Sequence, residues 1–490
     1  MKRKFTHSGF LKKSLFTTLA LFSQILVADG YHNINGFFGE RATGMGGAFT
    51  AISDDPSGAF YNPAGLAYAY DNSISLSASN YGITKKTYEN VIGPGQNYGR
   101  NSQNYIPNFF GVVRDMEKGG KAAFSIVNPI NDTFQRNDQI QAPIYYPDIA
   151  TLRNYNREAY NLIHVGFSYA KPINSKFSWG ASLYYTSDTA SVTYTQLVQN
   201  RDKTYLSNTY NENRKTTSLL PVLGIMFTPN EKWSFGASLR RNIVMGGNRL
   251  INTFDTGSSA STSDSITFVE GTHNALSGIK GNTVYKGPTP TGRTPENYEL
   301  RTGVAFFPNK RLMAAFDFIY TSGFTASTNN TEVTIGSTST LVGLTDNQNL
   351  ELKRYATKNF AMGIEYYLTD FLSLRLGFFT NNANTKPLTW ANSALAAANK
   401  SLGSAETIYN QNGLAINYKL PSLRDDPRNE YINTRGITVG FSFSTAKASI
   451  GLNLVKERGY GVSQLDTTRP LQSMIYDSTA LYIVVSSRNN

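Results

Sequence analysis

Apolar and polar residues alternate with a period of two along most of the chain from residue 72 onward. Between Lys176 and Tyr185, for example, Phe177, Trp179 and Leu183 alternate with small or polar residues. Segments with the same alternation are Trp233 to Leu239, Tyr298 to Phe306, Leu312 to Tyr320, Phe360 to Leu368, Leu372 to Phe378, Ile437 to Phe443 and Ala448 to Leu454. A period of two predicts β-strands that have one apolar and one polar face.

The connections between these strands alternate between short and long. Short links are predicted at Asp115 to Gly120, Lys171 to Ser175, Thr228 to Lys232, Pro308 to Lys310, Thr369 to Asp370 and Thr445 to Lys447. Long polar links are predicted at 83–104, 129–157, 197–204, 250–296, 326–351, 382–432 and 459–475. Six short and seven long links join fourteen strands, with both termini on the short-turn side. This organisation is typical of an outer-membrane barrel, which closes an antiparallel sheet and leaves no edge.

Composition is consistent with such a barrel. No segment approaches eighteen consecutive apolar residues, so a helical membrane protein is excluded. A low mean hydropathy is expected of a barrel, because only alternate residues of each strand meet lipid. The sequence therefore predicts an all-β fold, a transmembrane antiparallel β-barrel over residues 71–490 with long extracellular loops. A soluble β-sandwich is the alternative, and the aromatic strand ends and one-sided long loops favour the barrel.

The N-terminus has the features of a secretion signal. Residues 1–28 begin with Lys2, Arg3 and Lys4, continue through an apolar stretch from Leu15 to Val27, and end at Ala28. This pattern predicts a cleaved signal peptide. The chain has no cysteine, which excludes disulfides and a lipid anchor on cysteine.

A glycine-rich segment follows, from Gly39 to Ala67, and it predicts two very short helices. Asp55 followed by Pro56 reads as a helix start, and so does Asn62 followed by Pro63, because proline suits the first helical position. Glycines permit positive φ and close chain approach, and they stand here at Gly44, Gly46 and Gly47.

This segment resembles the N-terminal hatch of the long-chain fatty-acid transporter family of outer membranes (FadL and TodX). The matching positions are Gly39 to Ala42 including Arg41, the glycines Gly44, Gly46 and Gly47, the pair Asp54 and Asp55, and Asn62, Pro63 and Ala64. The resemblance implies a hatch over residues 29–70 that plugs a fourteen-stranded barrel. It also implies passive uptake of long-chain fatty acids or small aromatic hydrocarbons by a monomer in a Gram-negative-type outer membrane.

Catalysis has little support in the sequence, and no enzyme activity, cofactor, metal or nucleic acid is predicted. His164 is a lone histidine on an inward strand face, with no serine nucleophile motif in the chain. Ionisable residues at inward positions of later strands are Glu299, Arg301, Asp317, Glu365 and Arg375. They are interpreted either as ion pairs that hold the hatch or as part of a ligand route, with Phe49 and Phe60 on the hatch side.

The third predicted strand, Lys121 to Val127, runs into Asn128 and Pro129. Proline removes a ladder donor, so Pro129 either interrupts the strand or ends it. In the resembled family the ligand leaves sideways at a kink in the third strand, which is the functional interpretation of Pro129. Two other functions stay open at this point: a PorV-type scaffold of a secretion system, and a surface adhesin or receptor.

Overall fold

The computed structural model describes residues 31–70, 72–104, 108–116, 119–145, 147, 149–201, 205–259, 267–268, 280–287, 295–328, 331–336, 345–347, 350–387, 408–409, 415–416, 430–463 and 471–487. The predicted signal peptide at 1–28 lies outside these residues. Within them, no helix combines the length and apolar character needed to cross a membrane.

Fourteen antiparallel strands form the barrel, as predicted. They are β1 Ile74–Gly93, β2 Gln96–Asn104 with Phe109–Met116, β3 Gly120–Gln141, β4 Ile149–Pro172, β5 Phe177–Asn200, β6 Tyr205–Asn230, β7 Trp233–Arg241 with Ile243–Ser259, β8 Lys280–Gly287 with Tyr298–Asn309, β9 Leu312–Thr321 with Phe324–Thr328 and Thr331–Gly336, β10 Leu350–Arg354 with Thr357–Tyr367, β11 Leu372–Asn381, β12 Tyr431–Ser444, β13 Ala448–Ser463 and β14 Gln472–Ser487. Strand β14 pairs with β1 from Ile74 opposite Ser487 to Tyr88 opposite Met474, which closes the sheet.

The six short turns lie where the sequence predicts them. At three of them an asparagine shapes the turn: the side-chain oxygens of Asn174, Asn230 and Asn309 each accept hydrogen bonds from the backbone N–H groups two and three residues later. Asparagine favours this local bonding, which explains why so few residues reverse the chain.

Several segments that were predicted to be loops are strands in the structure. Strand β3 extends to Gln141 and β4 begins at Ile149, within the predicted 129–157 loop. Likewise, β1 and β2 form a hairpin across the predicted 83–104 loop. Beyond the apolar part of the barrel both strand faces are polar. Backbone pairing continues there, but the alternation of apolar and polar residues that predicts a strand is lost. Large parts of the predicted loops at 250–296, 326–351, 382–432 and 459–475 lie outside the described residues.

The outward faces carry an apolar belt in the half of the barrel nearest the short turns. Its exposed members include Phe167, Trp179, Leu183, Leu223, Ile225, Phe235, Leu239, Phe316, Met362, Leu376, Phe441 and Leu452. The inward faces of the same strands carry Ser178, Ser182, Ser234 and Ser238, all buried. The faces therefore match the alternation read from the sequence.

The N-terminal segment, residues 31–70, packs against the inward faces of the strands. It contains the helices α1 Glu40–Gly44 and α2 Gly58–Tyr61 and a 3₁₀-helix, Pro63–Tyr68. The predicted cap is confirmed, since the Asn62 side chain accepts a hydrogen bond from the Ala64 N–H and Pro63 is the first residue of the 3₁₀-helix. The predicted helix start, with Asp55 before Pro56 as the first helical residue, is wrong by two residues, because the helix begins at Gly58 after Ser57. The Asp55 carboxylate accepts from the Ser57 N–H at 2.7 Å and shapes the turn before α2.

Candidate functional site

Small hydroxyl side chains of the barrel bind the backbone of the N-terminal segment. Ser182 on β5 donates to the Ala59 carbonyl at 2.7 Å, and Ser238 on β7 donates to Tyr61 at 2.8 Å. On the far side of the lumen, Thr438 on β12 donates to the Gly44 carbonyl at 2.6 Å. These contacts require the segment's backbone to lie directly on the strands, which small side chains permit.

The glycines of the N-terminal segment allow this close approach. Gly46 has a φ of +65°, and a Cβ there would lie 3.1 Å from the Phe378 nitrogen on β11. Gly47 has a φ of +85°. Gly44 leaves no space for a side chain, since a Cβ would lie 2.7 Å from Asn453 Oδ1. All three positions thus have a steric reason for glycine.

A chain of ion pairs joins the N-terminal segment to β10 and β11. Arg41 contacts Asp54 at 2.5 Å and Glu365 at 2.9 Å, and Arg375 contacts Glu365 at 2.6 Å and Glu40 at 2.9 Å. Glu365 is fully buried, so its charge is stable there only because two arginines face it. Removal of either arginine would leave a buried charge with less compensation.

Two further carboxylates act locally on the backbone. Asp317 on β9 is buried and accepts hydrogen bonds from the N–H groups of Phe49 at 3.0 Å and Thr50 at 2.9 Å. Burial raises the pKa of Asp55 to about 6, against the lowering effect of its hydrogen bond from Ser57. Phe49, Asp317, Glu365 and Arg375 therefore lie at the contact between the segment and the wall.

A cavity of 220 Å³ lies beside the N-terminal segment in the lumen. Its apolar wall is formed by Phe38 and Phe60 of the segment together with Leu162, Leu220 and Ile319 of the strands. Of the ligand-route residues predicted from the sequence, Phe60, His164, Glu299 and Arg301 line this cavity. The predicted ligand-route residues thus form two groups: those that line the cavity, and those that lie where the N-terminal segment contacts the barrel wall.

Two guanidinium groups share one carboxylate at the cavity. Glu299 on β8 contacts Arg301 at 2.5 Å and Arg240 at 3.3 Å. The Arg240 guanidinium carbon also lies 4.3 Å from the centroid of the Phe60 ring. Two positive charges against one negative charge leave this group of three residues with a net charge of +1.

The cavity histidine has ordinary partners. His164 Nδ1 lies 2.7 Å from Thr186 Oγ1, and its ring stacks on Phe60 with centroids 5.9 Å apart. Among the described residues, no cluster of histidine, aspartate and glutamate has the geometry of a metal site.

Strand β3 continues through Pro129, but its pairing is irregular there. Val127 pairs with His164 on β4 and the next paired residue, Ile130, lies opposite Leu162, so β3 holds one extra residue. On the other edge of β3, the described pairs with β2 stop at Val127 and resume at Thr133. Pro129 and Ile130 also line the cavity. The cavity therefore reaches the irregular stretch of the wall.

Arg240, Phe38 and Tyr61 line the cavity but were not predicted from the sequence. Arg240 continues the inward phase of Ser234 and Ser238, so its orientation was readable from the alternation. Phe38 and Tyr61 had no such signal, because their position depends on how an irregular segment folds inside the barrel. In the folded segment, the Tyr61 hydroxyl accepts a hydrogen bond from the Phe38 N–H at 3.1 Å.

Comparison with sequence models of protein families found no match. Comparison with curated protein sequences also found none.

Comparison with solved structures found several barrels that match over nearly the whole chain. The Pseudomonas putida toluene transporter TodX is 13% identical, with 95% of this chain and 99% of that chain covered at a TM-score of 0.54. A Pseudomonas aeruginosa FadL homologue is 14% identical, with 94% and 99% covered at 0.53. The Ralstonia pickettii toluene transporter TbuX is 12% identical, with 94% and 100% covered at 0.52.

Identities this low establish likeness of fold and not of substrate. The likeness includes the strand number and the closed antiparallel arrangement. The chain thus has the fold of the FadL, TodX and TbuX barrels.

Proposed function

We propose that this protein is an outer-membrane channel for passive uptake of hydrophobic compounds, with the N-terminal segment as its plug. The observation that carries the proposal is the cavity beside that segment, which combines an apolar wall with several arginines, Arg240 and Arg301 among them, and adjoins the irregular stretch of β3. The likeness in fold to toluene transporters and to a FadL homologue supports the general class.

The location in an outer membrane rests on the barrel surface. The sheet is closed, so no backbone edge would meet lipid, and its outward apolar belt provides the surface that hydrocarbon requires. Short turns at one end and long connections at the other favour an orientation with the short turns in the periplasm.

A plugged barrel suits an apolar substrate better than an open pore does. Exposing apolar surface to water costs a free energy of roughly 25 cal/mol per Å². An apolar cavity of about 150 Å³ can hold a benzene molecule, so a cavity of 220 Å³ suits an aromatic ring or part of an acyl chain. The substrate would thereby exchange one apolar environment for another.

Within this class we propose an amphipathic acid, with long-chain fatty acids as the representative. Arg240 and Arg301 share the Glu299 carboxylate, and Arg240 Nη2 also donates to the Phe60 carbonyl at 2.9 Å. Their remaining N–H groups would bind a carboxylate at the end of the apolar wall. A purely aromatic hydrocarbon would leave these N–H groups unused. Release would occur sideways, through the irregular stretch of β3 at Pro129.

The test compares binding of oleate and toluene by the purified full-length protein. Arg301→Gln should weaken oleate binding at least about tenfold, since one charge-assisted hydrogen bond contributes roughly 1.5–3 kcal/mol and each 1.4 kcal/mol is tenfold in Kd. Toluene binding should not change. Lys353→Gln is the matched control, because Lys353 is an exposed cation that is not part of the cavity wall.

Loss of both ligands in Arg301→Gln would instead indicate a damaged cavity. Oleate binding equal to that of the wild type would contradict the fatty-acid proposal. Purified protein that binds neither ligand but retains a protein partner would favour the scaffold or receptor functions.

A further inference from the structure

Four basic side chains lie together on the outward face of the barrel, where β14 closes onto β1. Arg435 on β12 is directly opposite Arg458 on β13, Arg458 is opposite Asp477 on β14, and Asp477 is opposite Lys85 on β1. Lys456 lies two residues before Arg458 on the same strand face. These five residues are called the basic cluster below.

The outward orientation of the cluster follows from burial along each strand. Thr84 and Lys86 are 1% and 2% exposed, so Lys85 between them points away from the lumen. The side chains of Arg458 and Lys456 are 68% and 36% exposed. The cluster is therefore open to whatever surrounds the barrel.

Asp477 balances only part of this positive charge. Its carboxylate contacts the Arg458 Nε at 2.7 Å and also the Lys456 ammonium. Among the described residues, the structure gives neither Arg435 nor Lys85 an acidic partner. Four cations and one anion leave a net charge of +3, and like charges directly opposite each other destabilise a sheet. An external anion would relieve this repulsion.

The basic cluster lies at the edge of the apolar belt that is farther from the short turns. The apolar outward residues that follow toward the short turns are Ile437 on β12, Leu454 on β13 and, beyond Thr479, Leu481 on β14, which are 56%, 41% and 37% exposed. On the opposite side of the cluster, Tyr460 is 74% exposed. An apolar band bounded by an aromatic residue and cations is the arrangement found where a barrel meets lipid headgroups.

We propose that the basic cluster binds the phosphate-bearing headgroup of an anionic lipid in the outer leaflet. This inference rests on the membrane location and orientation proposed above, but not on the transported substrate. Four neighbouring strands separated by about 4.8 Å place Arg435 and Lys85 roughly 15 Å apart, which is wide enough for a headgroup with two phosphates. Arginine pairs with phosphate oxygens through two parallel hydrogen bonds, so Arg435 and Arg458 are the principal contacts.

The experiment measures retention of diphosphorylated lipid A by the purified full-length protein in a neutral detergent, using native mass spectrometry. The double variant Arg435→Gln, Arg458→Gln should lower retention about tenfold, because it removes both bidentate contacts. Asp477→Asn should raise retention about twofold, because it removes the competing anion. The control is Arg311→Gln with Lys447→Gln, which removes two exposed cations at the short-turn end.

Retention that is equal in wild type and double variant would overturn the proposal, as would retention unchanged or reduced in Asp477→Asn. Equal retention of lipid A from which the phosphates have been removed would also overturn it. Displacement of the lipid by an equal concentration of inorganic phosphate would mean that the cluster binds the free ion and not a headgroup. Oleate binding is measured on the same samples, so loss of lipid retention is distinguished from failure of the proposed substrate binding.

Discussion

At the residue scale, polar contacts between the N-terminal segment and the wall are predictable in kind but not in pairing. The alternation showed that Glu299, Arg301 and Glu365 face inward, since each belongs to the polar phase of its strand. It could not show that Glu365 meets Arg41 of the segment while Glu299 meets Arg240. Those partners are distant in sequence. Strand register places Glu299 opposite Arg240, whereas the packing of the N-terminal segment inside the barrel places Arg41 beside Glu365.

Asn62 makes more contacts than a helix cap requires. Besides accepting from Ala64, its amide donates to the Thr50 carbonyl at 2.8 Å and to the Ile225 carbonyl on β6 at 3.1 Å. It therefore connects the 3₁₀-helix to the rest of the segment and to the barrel. Local sequence patterns predict only the first of these three hydrogen bonds.

Replacing Asn62 and Pro63 together by alanine should loosen the N-terminal segment. The lost cap contributes about 1 kcal/mol, and each lost buried hydrogen bond contributes roughly 0.5–1.5 kcal/mol. We expect lower uptake of oleate per folded molecule, with normal surface abundance and normal heat-modifiable migration of the barrel. Uptake equal to that of the wild type would make the motif a dispensable turn.

At the element scale, strand faces and short turns were predictable because they have local causes. The two strand faces meet different surroundings, and asparagine at Asn174, Asn230 and Asn309 shapes its own turn. The lengths of β3 and β4 were underestimated, since residues 130–141 pair with residues 151–162 although these segments have no regular apolar face. Polar strands outside the apolar belt have no alternation from which they could be recognised.

The irregular stretch of β3 can be tested by removing its extra residue. Deleting Pro129 should restore an uninterrupted ladder between Val127 and Ile130, because the bulge consists of one residue without a partner. We expect the barrel to fold with oleate uptake strongly reduced and oleate binding retained. Deletion of Ala142, which follows β3 and lies outside the apolar belt, is the control. Undiminished uptake after deletion of Pro129 would exclude this stretch as the exit.

At the scale of the whole molecule, the fold is specified by repetition. Each strand repeats one alternation, and the even strand number lets β14 pair with β1. The cavity was not predictable in this way, because its walls come from residues 31–70 and from strands that are far apart in sequence. Such a site arises only once the barrel has closed around the segment.

Removing residues 31–68 while keeping residues 1–30 should open the lumen to water. Barrels with more strands than the eight that side chains can fill leave an aqueous channel unless something occupies it. The deletion should therefore raise single-channel conductance in planar bilayers well above that of the intact protein. Unchanged conductance would show that other residues close the barrel.

The central claim is tested most directly by uptake of radiolabelled oleate into cells of a Gram-negative host that lacks its own fatty-acid transporter. We expect oleate accumulation clearly above that of cells with an empty vector, and reduced accumulation with Arg301→Gln. Passage across the outer membrane should itself need no energy source. Outer-membrane vesicles that contain no binding protein should therefore also take up oleate. Accumulation equal to that of the empty vector, with the folded barrel present at the surface, would contradict the account.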